Sequence, residues 1–241
     1  MPTREAARVT IVGGGAGAAS LAIQLVRRSS APLAITMVEP RERVGPGLAY
    51  SGSDPDHRLN APTGTHSIDP VDADHFTRWC ESNGVLERDP EARLPNGAAF
   101  VRRGEFGDYV AATVRAHAAG SPTGSTIEHV QECAVGASFD GGKWRVDTER
   151  GGRLRSALLV VATGNPLPRL PSFFAPPLLG HPGVVTDPLG SGIPPLDAEA
   201  RVLVIGSGLT ALDIVSTLLR RGHRGHIDVV SRHGLRPRVA R

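Results

Sequence analysis

Apolar positions along this chain change period several times, and each change marks an element. Residues 8–12 (RVTIV) form a short β-branched run that stops at glycines, the pattern of a buried strand. Residues 17–28 switch to helical spacing, with Ala18, Leu21, Ala22, Leu25 and Val26 on one face. Residues 34–39 (AITMVE) return to strand character, so strand, glycine turn, helix and strand succeed one another as a βαβ unit. Residues 41–72 are rich in Pro, Gly, Asp and His and predict a long loop; loops this long inside a domain usually carry function. Two helices follow. One spans 74–83, with Phe76, Trp79 and Cys80 on one face; the other spans 105–119, with Phe106, Val110, Val114 and Ala118 spaced for burial and Gly120 as its stop.

From Thr126 the period becomes two. Residues 126–130 predict a strand. Residues 133–139, 144–148 and 154 onward, separated by turns at Asp140-Gly141-Gly142 and Gly151-Gly152, predict an antiparallel meander. The apolar run 157–162 (ALLVVA) predicts a fully buried strand ending at Thr163-Gly164. After a Pro- and Gly-rich stretch the opening pattern returns: strand 201–205 (RVLVI), glycine turn 206–208, helix 209–221 closed by Gly222, strand 227–231 (IDVVS). The expected fold is α/β: a Rossmann-like domain over 1–168 with a meander insertion, a connector over 169–195, and the start of a second Rossmann-like domain over 196–241.

Composition removes several function classes. With 40% apolar and 21% charged residues, disorder is not the default. No apolar run approaches the ~20 residues of a bilayer span. Cys80 and Cys133 cannot build a disulfide framework, and with no CxxC pair a dithiol relay is excluded. Net charge is +3, yet residues 220–241 alone hold seven Arg against one Asp, so the basic excess is local and suits an anion site. Aromatics are only 4% of the chain, which argues against a stacking platform for nucleic acid. Arg4 and Arg8 precede an apolar run like a leader, but Gly13, Gly14, Gly15 and Gly17 interrupt it; a nucleotide-binding strand and helix fits better and predicts a cytoplasmic protein.

The two glycine turns carry the chemistry. Gly13-Gly14-Gly15-Ala16-Gly17-Ala18 is GxGxxA: Gly13 allows the tight turn, Gly15 lets a pyrophosphate approach, and Ala18 keeps helix and strand close. The phosphates would meet a helix N-terminus, where free N–H groups and the dipole favour anions. Glu39, 24 residues past Gly15, can accept hydrogen bonds from a ribose diol and suits FAD. Gly206-Ser207-Gly208-Leu209-Thr210-Ala211 repeats the turn, but the position 24 past Gly208 is Arg232, preceded by Ser231. A carboxylate would repel a 2′-phosphate, whereas Arg and Ser would hold one, so this turn suits NADPH. Other tempting residues yield less. His223 and His226 have no third ligand nearby, so no metal is expected. Ser207 lacks the GxSxG of a hydrolase elbow. Cys80 and Asp213 read as structural, and His57 and Asn60 as candidate flavin or substrate contacts.

The stretches VGGGAGAASLA, VEPRERVGPGLAY, DPDHRLNAP, FVRRGEFGDYV, VVATGN and VIGSGLTALDIV occur in that order. Together they resemble a family of FAD- and NAD(P)-dependent flavoproteins, typed by flavin-dependent aspartate N-monooxygenase and urate hydroxylase. That family is distantly similar to ornithine N-hydroxylases and flavin monooxygenases. The resemblance implies that Gly13, Gly15, Ala18 and Glu39 hold the ADP half of FAD. It places Asn60, in Leu59-Asn60-Ala61-Pro62, near the flavin ring and Arg103 beside the flavin. It has Val135 touch the adenine region through its backbone, and Thr163-Gly164 close over FAD. Gly206, Gly208, Thr210 and Arg232 would bind NADPH. The family pattern also implies a longer chain, with more of the second domain and a returning FAD segment, and the Gly-x-x-x-His-x-x-x-Trp core of its oxygenases is not met. The implied activity is oxygenation of a small polar amine or purine by O2, with NADPH as reductant. A flavin reductase or electron-transfer module, and a truncated nucleotide-binding homologue without catalysis, stand as alternatives. No catalytic side chain is assigned, because the cofactor carries the chemistry.

Overall fold

The computed structural model describes residues 6–52, 54–172, 174, 178, 180–235 and 237. Its largest sheet is built from β1 (Ala7–Val12), β2 (Leu33–Val38), β3 (Thr126–Val130) and β7 (Leu158–Val161). All pairings are parallel, in the order β3-β2-β1-β7. Helix α1 (Ala16–Arg28) crosses from β1 to β2. The route from β2 to β3 runs through the long loop, α2 (His75–Ser82), the short α3 (Val85–Arg88) and α4 (Arg103–Ala119). Between β3 and β7 the chain makes the antiparallel meander β4 (Ala134–Asp140), β5 (Lys143–Thr148), β6 (Arg153–Ser156). A second, smaller βαβ unit follows: β8 (Val202–Ile205), α5 (Leu209–Arg220) and β9 (Ile227–Val230), with β8 and β9 parallel. The α/β class with a meander insertion is therefore present as the periodicity implied.

Two of the sequence expectations change. The amphipathic reading gave α1 one buried face, but it has two. Ala18, Ala22 and Val26 pack with Val9, Ile11, Ile35 and Met37 of the sheet. Ala19 and Ile23 join a second core built on Phe76, Phe106, Tyr109 and Val110 of α2 and α4. The helix is a middle layer, covered by a helix that lies some ninety residues further along the chain. The run 157–162, read as fully buried, is not: Leu158 is 47% and Val161 70% exposed. The reason is position. Among the described residues β7 pairs with β1 alone, at the end of the sheet, so apolar content here does not report a central strand. The second unit has the same character, with Leu203, Ile205 and Val230 exposed. Among the described residues, no helix is long and apolar enough to cross a membrane.

Candidate functional site

The first glycine turn lies at the carboxyl end of β1. The Gly13 N–H donates to the Val38 carbonyl at 2.8 Å, and its φ of +107° is open to glycine at little strain. A Cβ on Gly13 would also stand 2.2 Å from the Ala162 carbonyl oxygen, just past β7. A Cβ on Gly14 would stand 2.6 Å from Cγ of Glu39. Packing alone therefore demands both glycines. Gly15 and Gly17 are different: a Cβ on Gly15 would meet only Gly47 Cα, at 3.7 Å, and one on Gly17 would meet nothing within 4 Å. Gly15 caps α1 without a side-chain hydrogen bond, and the first turn holds no acid. The N–H groups there have no capping side chain, which suits an anion such as a pyrophosphate, and the loop backbone packs close by, since a Cβ on Gly47 would stand 2.8 Å from Gly15 Cα. Ala18 is buried beneath, holding the helix close to the sheet.

Glu39 follows β2 and is 3% exposed. Its Oε2 accepts the Gly14 N–H at 2.8 Å, and its Oε1 accepts the Arg41 backbone N–H at 3.0 Å and Nη1 at 2.9 Å. A carboxylate offers about four acceptor sites, so one remains, on Oε2, for a ribose hydroxyl. Sequence reasoning found the acid but missed Arg41, which occupies the other oxygen. It also missed His129 on β3, whose Nε2 lies 2.8 Å from the Glu39 carbonyl. Nothing local marks His129, because its role depends on β3 lying beside β2. Val135 sits just beyond, at the irregularity between Ala134 and Gly136 where β4 carries a residue that β5 does not oppose. Thr163 and Gly164 are exposed beside the turn. The Thr163 nitrogen is 3.3 Å from where a Gly13 Cβ would be.

The loop after Glu39 is tied back to this turn by the Gly45 N–H, which donates to the Gly14 carbonyl at 2.6 Å. Beyond that tie opens a cavity of about 290 Å³, walled by Pro46, Tyr50 and Leu48 and by Arg43, Asp108 and Arg103. Arg43 pairs with Asp108 at 2.6 Å. Arg103 Nη2 lies 2.8 Å from Asp213 Oδ2 of α5, a charge contact lacking the angle of a hydrogen bond. Asn60 is exposed and lies outside the cavity wall. His57 lines it, but its imidazole is engaged elsewhere, with Nε2 2.9 Å from Thr217 Oγ1 of α5. Cys80 is buried, and burial, with the charges of Glu105 and Glu81, pushes its thiol up to about 12. It is an inert core residue.

The second turn repeats the first. Gly206 has φ +112°, and its N–H donates to the Val230 carbonyl at 2.8 Å. Gly208 caps α5 with no side-chain hydrogen bond and no acid in the first turn. Among the described residues, a Cβ on either glycine would meet nothing within 4 Å. Thr210 is exposed on the first turn of α5. Ser231 and Arg232 leave β9 beside Gly206, and the chain folds back so that Ser207 Oγ donates to the Leu235 carbonyl at 2.5 Å. His226 Nε2 pairs with Asp228 at 3.0 Å, and His223 is buried without a partner for either ring nitrogen among the described residues.

No curated protein matches the sequence. Solved structures do match in fold. A flavin-containing monooxygenase from Stenotrophomonas maltophilia is 17% identical, with 95% of this chain and 59% of that one covered at a TM-score of 0.60. The ornithine N-hydroxylase of Kutzneria sp. 744 is 18% identical, with 94% and 53% covered at 0.65. A lysine monooxygenase from Nocardia farcinica is 20% identical, with 93% and 57% covered at 0.61. The chain thus spans between half and three-fifths of the length of these structures. The FAD-NAD(P)-binding family model matches residues 10–166, well over half of the chain and all of the first turn and its acid, and the chain belongs to that family.

Proposed function

We propose that this chain is an FAD- and NADPH-dependent oxidoreductase of the flavin monooxygenase type, acting on a small polar amine or purine with O2. The observation that carries the reading is the pair of uncapped helix starts behind positive-φ glycines, the first with buried Glu39 hydrogen-bonded to its turn and the second with exposed Arg232 two residues past its adjacent strand. Residues 1–168 would form the FAD domain, 169–195 a connector and 196–241 part of the NADPH domain. The resemblance to the family of aspartate N-monooxygenase and urate hydroxylase supports the finer assignment.

A bound FAD would supply the hydride acceptance from NADPH and the O2 activation. The protein's share is binding, orientation and exclusion of water. Gly15 and the first turn of α1 would receive the FAD pyrophosphate, and Glu39 a ribose hydroxyl, through its free site on Oε2. Val135 and Thr163-Gly164 would border the adenosine and the turn. Arg103, held by Asp213, would present a cation at the cavity wall, and the apolar sides of Pro46, Leu48 and Tyr50 would keep water away. Gly206, Gly208 and Thr210 would take the NADPH pyrophosphate, and Ser231 with Arg232 the 2′-phosphate. Arg43, Asp108 and Asp54 give the cavity charged walls suited to a polar substrate.

The test is the visible spectrum of the purified protein. A yellow protein that bleaches on anaerobic NADPH, and then yields hydroxylated product in step with NADPH consumed in air, supports the proposal. Bleaching followed by peroxide alone, with every amine and purine tried, favours a reductase without oxygenation. A colourless protein that takes up no FAD sinks the assignment.

A further inference from the structure

The second unit meets the first through charge. Asp54, in the long loop, accepts hydrogen bonds from Thr217 Oγ1 and from the Arg220 guanidinium, both on α5. The Thr217 proton goes to Asp54, so the His57 imidazole 2.9 Å away must be the donor in its own contact with Thr217, through Nε2–H. Arg220 also lies 3.6 Å from Asp56; Arg102 is 3.1 Å from Asp56 and 4.0 Å from Asp89. Arg58 grips Asp89 with both terminal nitrogens, at 2.9 and 3.0 Å. Charges therefore alternate in one line: Arg58, Asp89, Arg102, Asp56, Arg220, Asp54. One turn nearer the second glycine turn, Asp213 meets Arg103. Asp213, Thr217 and Arg220 recur at helical spacing on one face of α5. Thr217 is 2% exposed and His57 8%, while Leu212 and Leu219 elsewhere on α5 are exposed. Ala211 and Leu218 are buried on another side of the helix, and the polar face is the one that meets the first unit.

Burial raises the Asp54 carboxyl, but the Thr217 hydroxyl, the Asp56 backbone N–H and the charges of His57 and Arg220 outweigh it and hold the group below the ordinary value. The seam thus carries a true charge near neutral pH. Exposed pairs of this kind contribute little, but truncating one partner of a partly buried, hydrogen-bonded charge leaves the other unsatisfied.

We propose that Thr217 and Arg220 are positioning residues. Through Asp54 they hold α5, and the glycine turn at its N-terminus, in one orientation toward the flavin cavity. The idea rests on the coenzyme assignment above. A helix of 12 residues is about 18 Å long, so loosening one end swings the other, and misplacement by ~1 Å at a reacting centre can slow a step by up to ~100-fold.

The experiment compares Thr217→Val, Arg220→Gln and Arg220→Lys with the wild type, all as the full chain. Hydrogen exchange without coenzymes is the first readout. Amides of Asp54, Asp56 and His57 and of residues 209–220 should exchange faster in Thr217→Val and Arg220→Gln, with Arg220→Lys in between. Anaerobic stopped-flow is the second. Flavin reduction at saturating NADPH should slow about ten- to a hundred-fold in the same two variants, with FAD content and the Kd for NADPH unchanged. Unchanged exchange overturns the seam. Faster exchange with an unchanged reduction rate overturns the positioning role. Faster exchange in the variants of a wild type that NADPH never reduces supports the seam and sinks the redox assignment instead.

Discussion

The turns at Gly13 and Gly206 have nearly the same backbone. Their φ angles are +107° and +112°, each N–H donates at 2.8 Å to the last residue of the adjacent strand, and each helix starts on an extended glycine with φ near −75°. Their surroundings share almost nothing. Gly13 is wedged against the Ala162 carbonyl and Gly14 against Glu39, while Gly206 and Gly208 have no described residue within 4 Å of a Cβ. Glu39 is buried and already holds three donors, whereas Arg232 is exposed. The local sequence dictates the shape of the turn. What each glycine is for depends on the strand that arrives next to it.

The sharpest way to break that comparison is to add one methyl group to each turn. Gly13→Ala combines an unfavourable φ with a backbone clash, and should lose about 3 kcal/mol or more, lowering Tm by roughly 6–12 °C. Gly206→Ala carries only the strain, about 1–2 kcal/mol. Equal losses in thermal unfolding by circular dichroism would show that the wedge is unimportant.

The acid and the base come next. Glu39→Gln cannot accept from both the Gly14 and Arg41 donors and should weaken FAD about 10- to 100-fold, given about 1.5–3 kcal/mol for a charged hydrogen bond. Arg232→Ala should weaken NADPH by a similar factor and leave NADH alone, as fluorescence titration can decide. Equal loss for both nicotinamide coenzymes would remove the 2′-phosphate reading.

Acid should then separate the two regions by another route. Asp54 titrates below the ordinary 3.8, so its contribution to docking α5 is complete above that value and is lost as pH falls through the lowered folded one. Exchange measured down a pH series should show residues 209–220 loosening below pH 3.8 before the apolar first sheet does. Simultaneous loss of both would contradict this.

The smallest change is expected from Gly208→Ala. With φ −77° and no described neighbour within 4 Å of a new Cβ, stability should stay within about 0.5 kcal/mol, while binding of the dinucleotide weakens. An unaltered Kd for NADPH would mean that the pyrophosphate does not approach there.

Much of this was legible in the sequence because it is local. Both βαβ units, the meander and the acid at 39 follow from periodicity and spacing within some thirty residues of chain. What escaped depends on distant partners. The second buried face of α1 exists because α4 covers it. The exposure of Val161 follows from where β7 enters the sheet. His57 looked free to meet a ligand, yet it is matched to Thr217, 160 positions away. No window of sequence contains that pairing, nor that of Asp54 with Arg220, 166 positions away.

The wedge at Gly13 also bears on how the protein is made. The wall that closes this turn is residue 162, which leaves the ribosome 149 residues after Gly13. At ~5–20 residues per second that interval lasts roughly 7–30 s. Throughout it the nascent chain displays that helix start without its far side, so on the proposed FAD reading the cradle is walled only once residue 162 has emerged.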